Sequence, residues 1–291
     1  MSRSASPPPL ATLSAARPNR LKRLLADGQV AVGCLLSYDA PWLVEVLGMT
    51  GYDFITIDIE HEPMDPQTVA SLVRAADLVG ITSVVRMPAS DAIFPMLSAG
   101  AQAVQVPDLR GRAHAQQLVE LTRFPPHGRR TYYTQTRAAQ YGVGIDEEEW
   151  IRSADAEMLV IGMIEHVDLL DELDDLLSVE GIDAFHIGTL DLAASMGSPP
   201  PERMDEVVAE IVGRCRAAGK YAAVGVVTPW ALDAVRKRVD LGVQILNVPS
   251  AWMLSHATGA FLAEIEGRIP DDLRAPSARL PTPNKYINPR A

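Results

Sequence analysis

The chain has 291 residues, 47% of them hydrophobic, enough for one large core or two small ones. Its 37 acidic residues against 26 basic ones give a formal net charge of -11, which argues against DNA or RNA and favours a small-molecule substrate or a protein partner. Cys34 and Cys215 lie far apart without metal-type spacing, and no stretch approaches the ~20 apolar residues of a membrane span, so a cytoplasmic protein without disulfides is expected.

Residues 1–18 carry three consecutive prolines and no compact apolar run, and read as a flexible tail. Residues 269–291, rich in proline and cations, read as an extended arm. Between them, over 19–268, strands are predicted at VAVGCLL (30–36), FITIDI (54–59), TSVVRM (82–87), AVQVP (103–107), MLVIGMIE (158–165), IDAFHIG (182–188), YAAVGVV (221–227) and VQILNV (243–248). The segments between them, such as PQTVASLVRAADLVG and GRAHAQQLVELTRF, have helical periodicity. Strands apolar on both faces, each followed by a helix, predict an α/β fold of the (β/α)8 TIM-barrel type. An open doubly wound sheet is the competitor, but no G-x-G-x-x-G follows the first strand. The long polar and aromatic insertion at 124–150 is read as a βα loop after the fourth strand, a lid or substrate-contacting segment at the barrel mouth.

A barrel collects its chemistry at the C-terminal ends of its strands. Asp58, Glu60 and His61 end the second strand, Arg86 the third and Glu165 the fifth, while Asp191 follows the sixth. Glu165 and Asp191 converging on one spot would repel unless a divalent cation lies between them, and two carboxylates plus water suit a hard ion such as Mg²⁺ or Mn²⁺. The alternative gives Glu165 an arginine partner and makes Asp191 a helix cap. Arg86 offers a fork to a carboxylate or developing enolate oxygen, or else pairs structurally with Asp58. His61 beside Asp58 reads as a general base with its orienting acid, against a purely structural histidine. His114, His127, His166 and His186 are expected to be structural.

The motifs GYDFITIDIEHEPMD, VVRMPASD, GAQAVQVP, TRFPPHGRR, MIEHVDLLDELDDLLSVEGIDAFHIG and DLAASMG, in this order, resemble the HpcH/HpaI aldolase family of class II pyruvate aldolases, to which macrophomate synthase is related. The resemblance covers roughly residues 19–267. It implies an aldolase-like barrel in which Glu165 and Asp191 bind Mg²⁺, Mn²⁺ or Co²⁺, Arg86 contacts the keto oxygen of pyruvate, and His61 moves a proton with Asp58 beside it. It further implies a homo-oligomer, a trimer or hexamer. Several positions depart from the family pattern. Met163 stands where a glutamine often precedes the metal glutamate, and Thr189 and Leu190 occupy the stretch whose backbone meets the pyruvate carboxylate. Ser98 replaces the acid that often orients the histidine, and Thr131 replaces a glycine. The expected activity is a metal-dependent carbon–carbon lyase acting on a 2-oxo acid and an aldehyde or other acceptor. The alternatives are decarboxylation of an oxaloacetate-like diacid, biosynthetic bond formation through the same enolate, or a non-catalytic binding subunit.

Overall fold

The computed structural model describes residues 15–225 and 231–265. In chain order its elements are α1 (Arg20–Ala26), β1 (Ala31–Leu36), α2 (Pro41–Thr50), β2 (Phe54–Asp58), α3 (Pro66–Val79), β3 (Thr82–Arg86), α4 (Ile93–Ala99), β4 (Ala103–Val106), α5 (Arg112–Thr122) and α6 (Glu147–Glu157). There follow β5 (Leu159–Ile164), α7 (Asp168–Asp171), α8 (Leu173–Leu177), β6 (Ala184–Ile187), α9 (Thr189–Ser195), α10 (Pro201–Ala217), β7 (Tyr221–Val224), α11 (Leu232–Leu241), β8 (Ile245–Pro249) and α12 (Ser250–Ile265). Each strand pairs in parallel with the next, and β8 pairs with β1, closing the expected (β/α)8 barrel. The predicted strand at 221–227 runs past β7 into Val226 and Val227, which lie outside the described residues, as does the 269–291 arm.

Side chains alternate between two environments along every strand, because successive Cβ atoms point to opposite faces. Cys34, Ile55, Val85, Val104, Val160 and Phe185 point outward into the layer shared with the helices. Ala31, Phe54, Val84, Ala103, Ile161, Ala184, Ala223 and Ile245 fill the lumen, and Leu21 and Leu25 of α1 plug its N-terminal end. Two residues further along, the lumen turns polar: Thr56, Gln105, His186 and Asn247 are all buried, and Asn247 Nδ2 donates to Thr56 Oγ1 at 2.9 Å. The expectation of strands apolar on both faces therefore holds only for the lower half of the barrel. Gly225 admits His186, since a Cβ there would lie 2.6 Å from the imidazole Nε2. Cys34 and Cys215 are buried free thiols, each pushed up to about 12 by burial and so inert as nucleophiles.

The 124–150 insertion does not line the mouth of its own barrel. It follows α5, which carries the chain from the C-terminal rim back to the opposite end, so it belongs to an αβ connection. Arg137 Nη1 and Ala138 N donate to the Ala99 and Ser98 carbonyls at the end of α4, each at 3.1 Å. Phe124, Ala139, Trp150 and Ala154 form a small core of their own there. The start of the chain is held at the same end. Ala16 N donates to Ser153 Oγ at 2.8 Å, and Gln102 Nε2 donates to the Pro18 carbonyl at 3.1 Å, so packing begins before the expected boundary at residue 19. Residues 1–14 of the expected tail lie outside the described residues. No helix among the described residues is long and apolar enough to cross a membrane.

Candidate active site

Asp58 and Arg86 are lateral neighbours, paired in register on β2 and β3. Arg86 Nε donates to Asp58 Oδ1 at 3.0 Å and Nη2 to Oδ2 at 2.5 Å, a two-point clamp on a largely buried guanidinium. The same Oδ1 accepts the backbone N–H of Glu60 at 3.1 Å and of His61 at 3.4 Å, which shapes the turn leaving β2. Asp58 therefore orients Arg86. It makes no ion pair with the His61 imidazole, for which the sequence reads it as the orienting acid. The chain leaves the strand after Asp58, so alternation no longer governs where His61 points, and its side chain is 64% exposed. The carboxylate nearest to it is Glu60, with Oε2 3.7 Å from His61 Nε2.

Glu165 leaves β5 one step above Met163 and turns toward the lumen. Gly188 is required by this close approach, because a Cβ at that position would lie 2.5 Å from both Glu165 Cγ and Oε1. Asp108, held at φ 51 after β4, donates its backbone N–H to Glu165 Oε2 at 2.8 Å. A positive φ is uncommon outside glycine, although Asp tolerates it, and here it aims the N–H at the site. Burial, then the negative charges of Glu60 and Asp191, push the Glu165 carboxyl up to about 7 against the opposing pull of Asp108 N–H and Arg86. Glu60 is raised as well, first by burial, with Asp58 and Asp191 adding to it and Arg86 and His61 opposing. Glu60 just after β2, Glu165 just after β5 and Asp191 in α9 thus lie at the C-terminal rim with Arg86, near enough for their charges to act on one another. Sequence reasoning had gathered Glu165, Asp191 and Arg86 but gave Glu60 no role.

Thr189 is buried and Leu190 is 39% exposed in the first turn of α9, beside Asp191. The N–H groups of a first helical turn have no partner within the helix. Met163 lines the lumen wall below Glu165 and receives the Gln105 Nε2 donor at its Sδ, 3.1 Å away. Ser98 sits at the far end of α4, away from the rim that carries His61. Asp108 and Gln105 also escaped the sequence reading. Asp108 contributes only its backbone. Gln105 had a visible signal, a polar residue inside the buried run AVQVP.

No group of three or more His, Cys, Asp or Glu side chains among the described residues forms a metal-binding set by itself. Glu165 and Asp191 are the pair that could hold a hard divalent ion with water completing its shell. Two features fit such an ion: burial and, after it, the charges of Glu60 and Asp191 disfavour the ionised Glu165 carboxyl, and Glu60 Oε2 is buried without a hydrogen bond, 3.4 Å from Arg86 Nε but not in hydrogen-bond geometry. A cation would relieve both.

The profile of the HpcH/HpaI aldolase/citrate lyase family matches residues 32–250. A pyruvate aldolase of Rhizobium etli is 33% identical over 235 residues, covering 79% of this chain and 90% of the relative. A hydroxypyruvate/pyruvate aldolase of Roseovarius nubinhibens is 32% identical over 238 residues, with the same coverage. The crystal structure of an HpcH/HpaI aldolase/citrate lyase family protein from Burkholderia cenocepacia superimposes with a TM-score of 0.78 at 28% identity, over 85% of this chain and 99% of that one. With the barrel and its rim of carboxylates in place, these matches establish that the chain belongs to the HpcH/HpaI aldolase/citrate lyase family.

Proposed function

We propose that the chain is a class II, divalent-metal-dependent aldolase that makes or breaks a carbon–carbon bond through the enolate of a pyruvate-like 2-oxo acid, with an aldehyde as acceptor. The observation that carries this reading is the placement of Arg86 at the end of β3, Glu165 just after β5 and Asp191 just after β6 on one rim of the barrel, where their charges act on one another. The activities named for the two curated relatives support the donor class. Glu165 and Asp191 would hold Mg²⁺ or Mn²⁺, with Co²⁺ also suited to the site. When bound, the ion supplies Lewis acidity that polarises the keto group.

The chain's own residues do the rest. Arg86, fixed by Asp58, presents a charged donor to the keto oxygen as negative charge grows there. The first-turn N–H groups at Thr189 and Leu190 offer donors to the substrate carboxylate. His61 Nε2, open to solvent at the rim, takes and returns the proton. Large apolar side chains are exposed on α2 (Trp42, Met49) and on α12 (Leu254, Phe261), which supports burial of these faces in a homo-oligomer, a trimer or hexamer.

The test is proton exchange at the pyruvate methyl group in D₂O. Exchange is expected with Mg²⁺, Mn²⁺ or Co²⁺ and is lost with EDTA or in Glu165→Ala. A folded sample that exchanges no protons with any of these ions overturns the reading. Release of carbon dioxide from oxaloacetate without aldol cleavage or addition would assign the site to the decarboxylase alternative instead.

A further inference from the structure

A barrel lumen that serves only as core is filled with branched apolar side chains. At the height of Arg86 this one carries Gln105, 3% exposed, in a row that begins with the apolar Ala103. Gln105 on β4 lies in register beside Arg86 on β3, so the amide and the guanidinium spring from adjacent points of the same wall. On its other side its Nε2 lies 3.1 Å from Met163 Sδ. A thioether is a weak acceptor, so this buried donor has a poor partner in the protein by itself. Burying an amide without a good partner costs about 1–3 kcal/mol, which a leucine at 105 would avoid.

Met163 stands two residues before Glu165 on the same face of β5 and is 2% exposed. It cannot donate a hydrogen bond, and its unbranched side chain readily changes rotamer. Of the pair, only the amide can recognise an oxygen. It is held between the guanidinium of Arg86 and the wall beneath Glu165.

We propose that Gln105 is a substrate-binding residue: on binding, its Nε2 leaves Met163 and donates to an oxygen of the 2-oxo acid lying between Arg86 and Glu165. This rests on the function proposed above. It makes Gln105, rather than Met163, the polar contact that strands β4 and β5 give the donor substrate.

The experiment compares wild type, Gln105→Leu, Gln105→Glu and the reciprocal double variant Gln105→Leu/Met163→Gln. Steady-state kinetics with pyruvate and an aldehyde in the presence of Mn²⁺ are run beside urea unfolding of each protein. Gln105→Leu is expected to raise the KM for pyruvate about tenfold, the loss of one net hydrogen bond, with kcat changed much less and the unfolding midpoint unchanged or higher. Gln105→Glu places an acceptor opposite an anionic substrate and is expected to raise KM further. The double variant, which supplies an amide from the neighbouring strand, is expected to recover part of the loss. If Gln105→Leu does not fold, Gln105→Glu, equal in length, decides the question by the same split between KM and kcat. Wild-type kinetics in the folded single variants, or a loss that only follows the folded fraction, overturns this proposal alone. Absence of turnover and of methyl exchange in wild type overturns the functional reading and this proposal with it.

Discussion

Replacing Glu165 by glutamine is expected to stabilise the metal-free protein at neutral and higher pH, although it removes a carboxylate from the site. Burial, then Glu60 and Asp191, raise this carboxyl from its ordinary 4.5 to about 7. The folded state therefore keeps a proton that the unfolded chain releases. The contribution to stability is fully present below pH 4.5 and is lost as pH rises through 7. The shift is 7 minus 4.5, or 2.5 units, and at about 1.4 kcal/mol per unit it amounts to roughly 3 kcal/mol. Partial solvent exposure of the rim reduces that figure to about 2 kcal/mol. A glutamine keeps an oxygen for the Asp108 N–H and carries no charge at any pH. Urea unfolding in EDTA is expected to give wild type and Glu165→Gln similar stabilities at pH 5, and to favour the variant by about 2 kcal/mol at pH 8. On the metal site proposed above, adding Mn²⁺ should reverse the order at pH 8, because wild type would gain more of the ion's binding energy than the variant. A variant less stable than wild type at pH 8 in EDTA, or a difference that does not change with pH, refutes the reasoning.

Asp58→Ala leaves the largely buried Arg86 guanidinium without its two-point partner, and is expected to cost about 3–5 kcal/mol in urea unfolding together with methyl-exchange activity; Asp58→Asn, which retains an acceptor, should lose less stability. Burial and, secondarily, Arg86 depress His186 to about 3 from its ordinary 6.5. Its contribution is therefore complete above pH 6.5 and falls away as pH drops toward 3, so that at pH 4.5 wild type should have lost about 3 kcal/mol by acid titration monitored with circular dichroism. His186→Phe, if it folds, should show a flatter acid limb. Charging α12 by Leu254→Glu together with Phe261→Glu, both 65% exposed in the single chain, is expected to shift sedimentation toward a smaller species, and an unchanged sedimentation coefficient would exclude that face from the assembly.

The barrel was legible because eight apolar runs at strand length, separated by segments of helical period, leave few topologies that bury every run. The observed strands fall within about two residues of those expected, except where 226 and 227 lie outside the described residues. What failed was the side of the barrel assigned to the long insertion. Its polar and aromatic composition resembles that of a substrate loop, yet α5 intervenes between β4 and the insertion and reverses the direction of the chain. The sequence contains that helix as GRAHAQQLVELTRF, so counting reversals along the chain would have placed the insertion at the N-terminal end. In a barrel the side on which a loop emerges depends on the element before it, and composition carries no such information.

The candidate site was legible to the degree that its residues are side chains at strand ends. Arg86, Glu165 and Asp191 follow from that rule, whereas His61 does not, because three residues past Asp58 the strand's alternation has ended and sequence adjacency no longer fixes direction. Asp108 was invisible because a backbone N–H at positive φ has no residue signature of its own. The lumen did leave a trace. Thr56, Gln105, His186 and Asn247 each interrupt an otherwise apolar strand, in FITID, AVQVP, AFHI and ILNVP. A strand packed between helices and an apolar core has no use for such a residue, since each buried polar group needs a partner. Four of them at one level of the barrel mark the height at which the interior stops being core and becomes the floor of a site. On the function proposed above, the floor, no less than the rim, would select among 2-oxo acids, and Gln105 is a part of that floor whose present partner, a thioether, is weak.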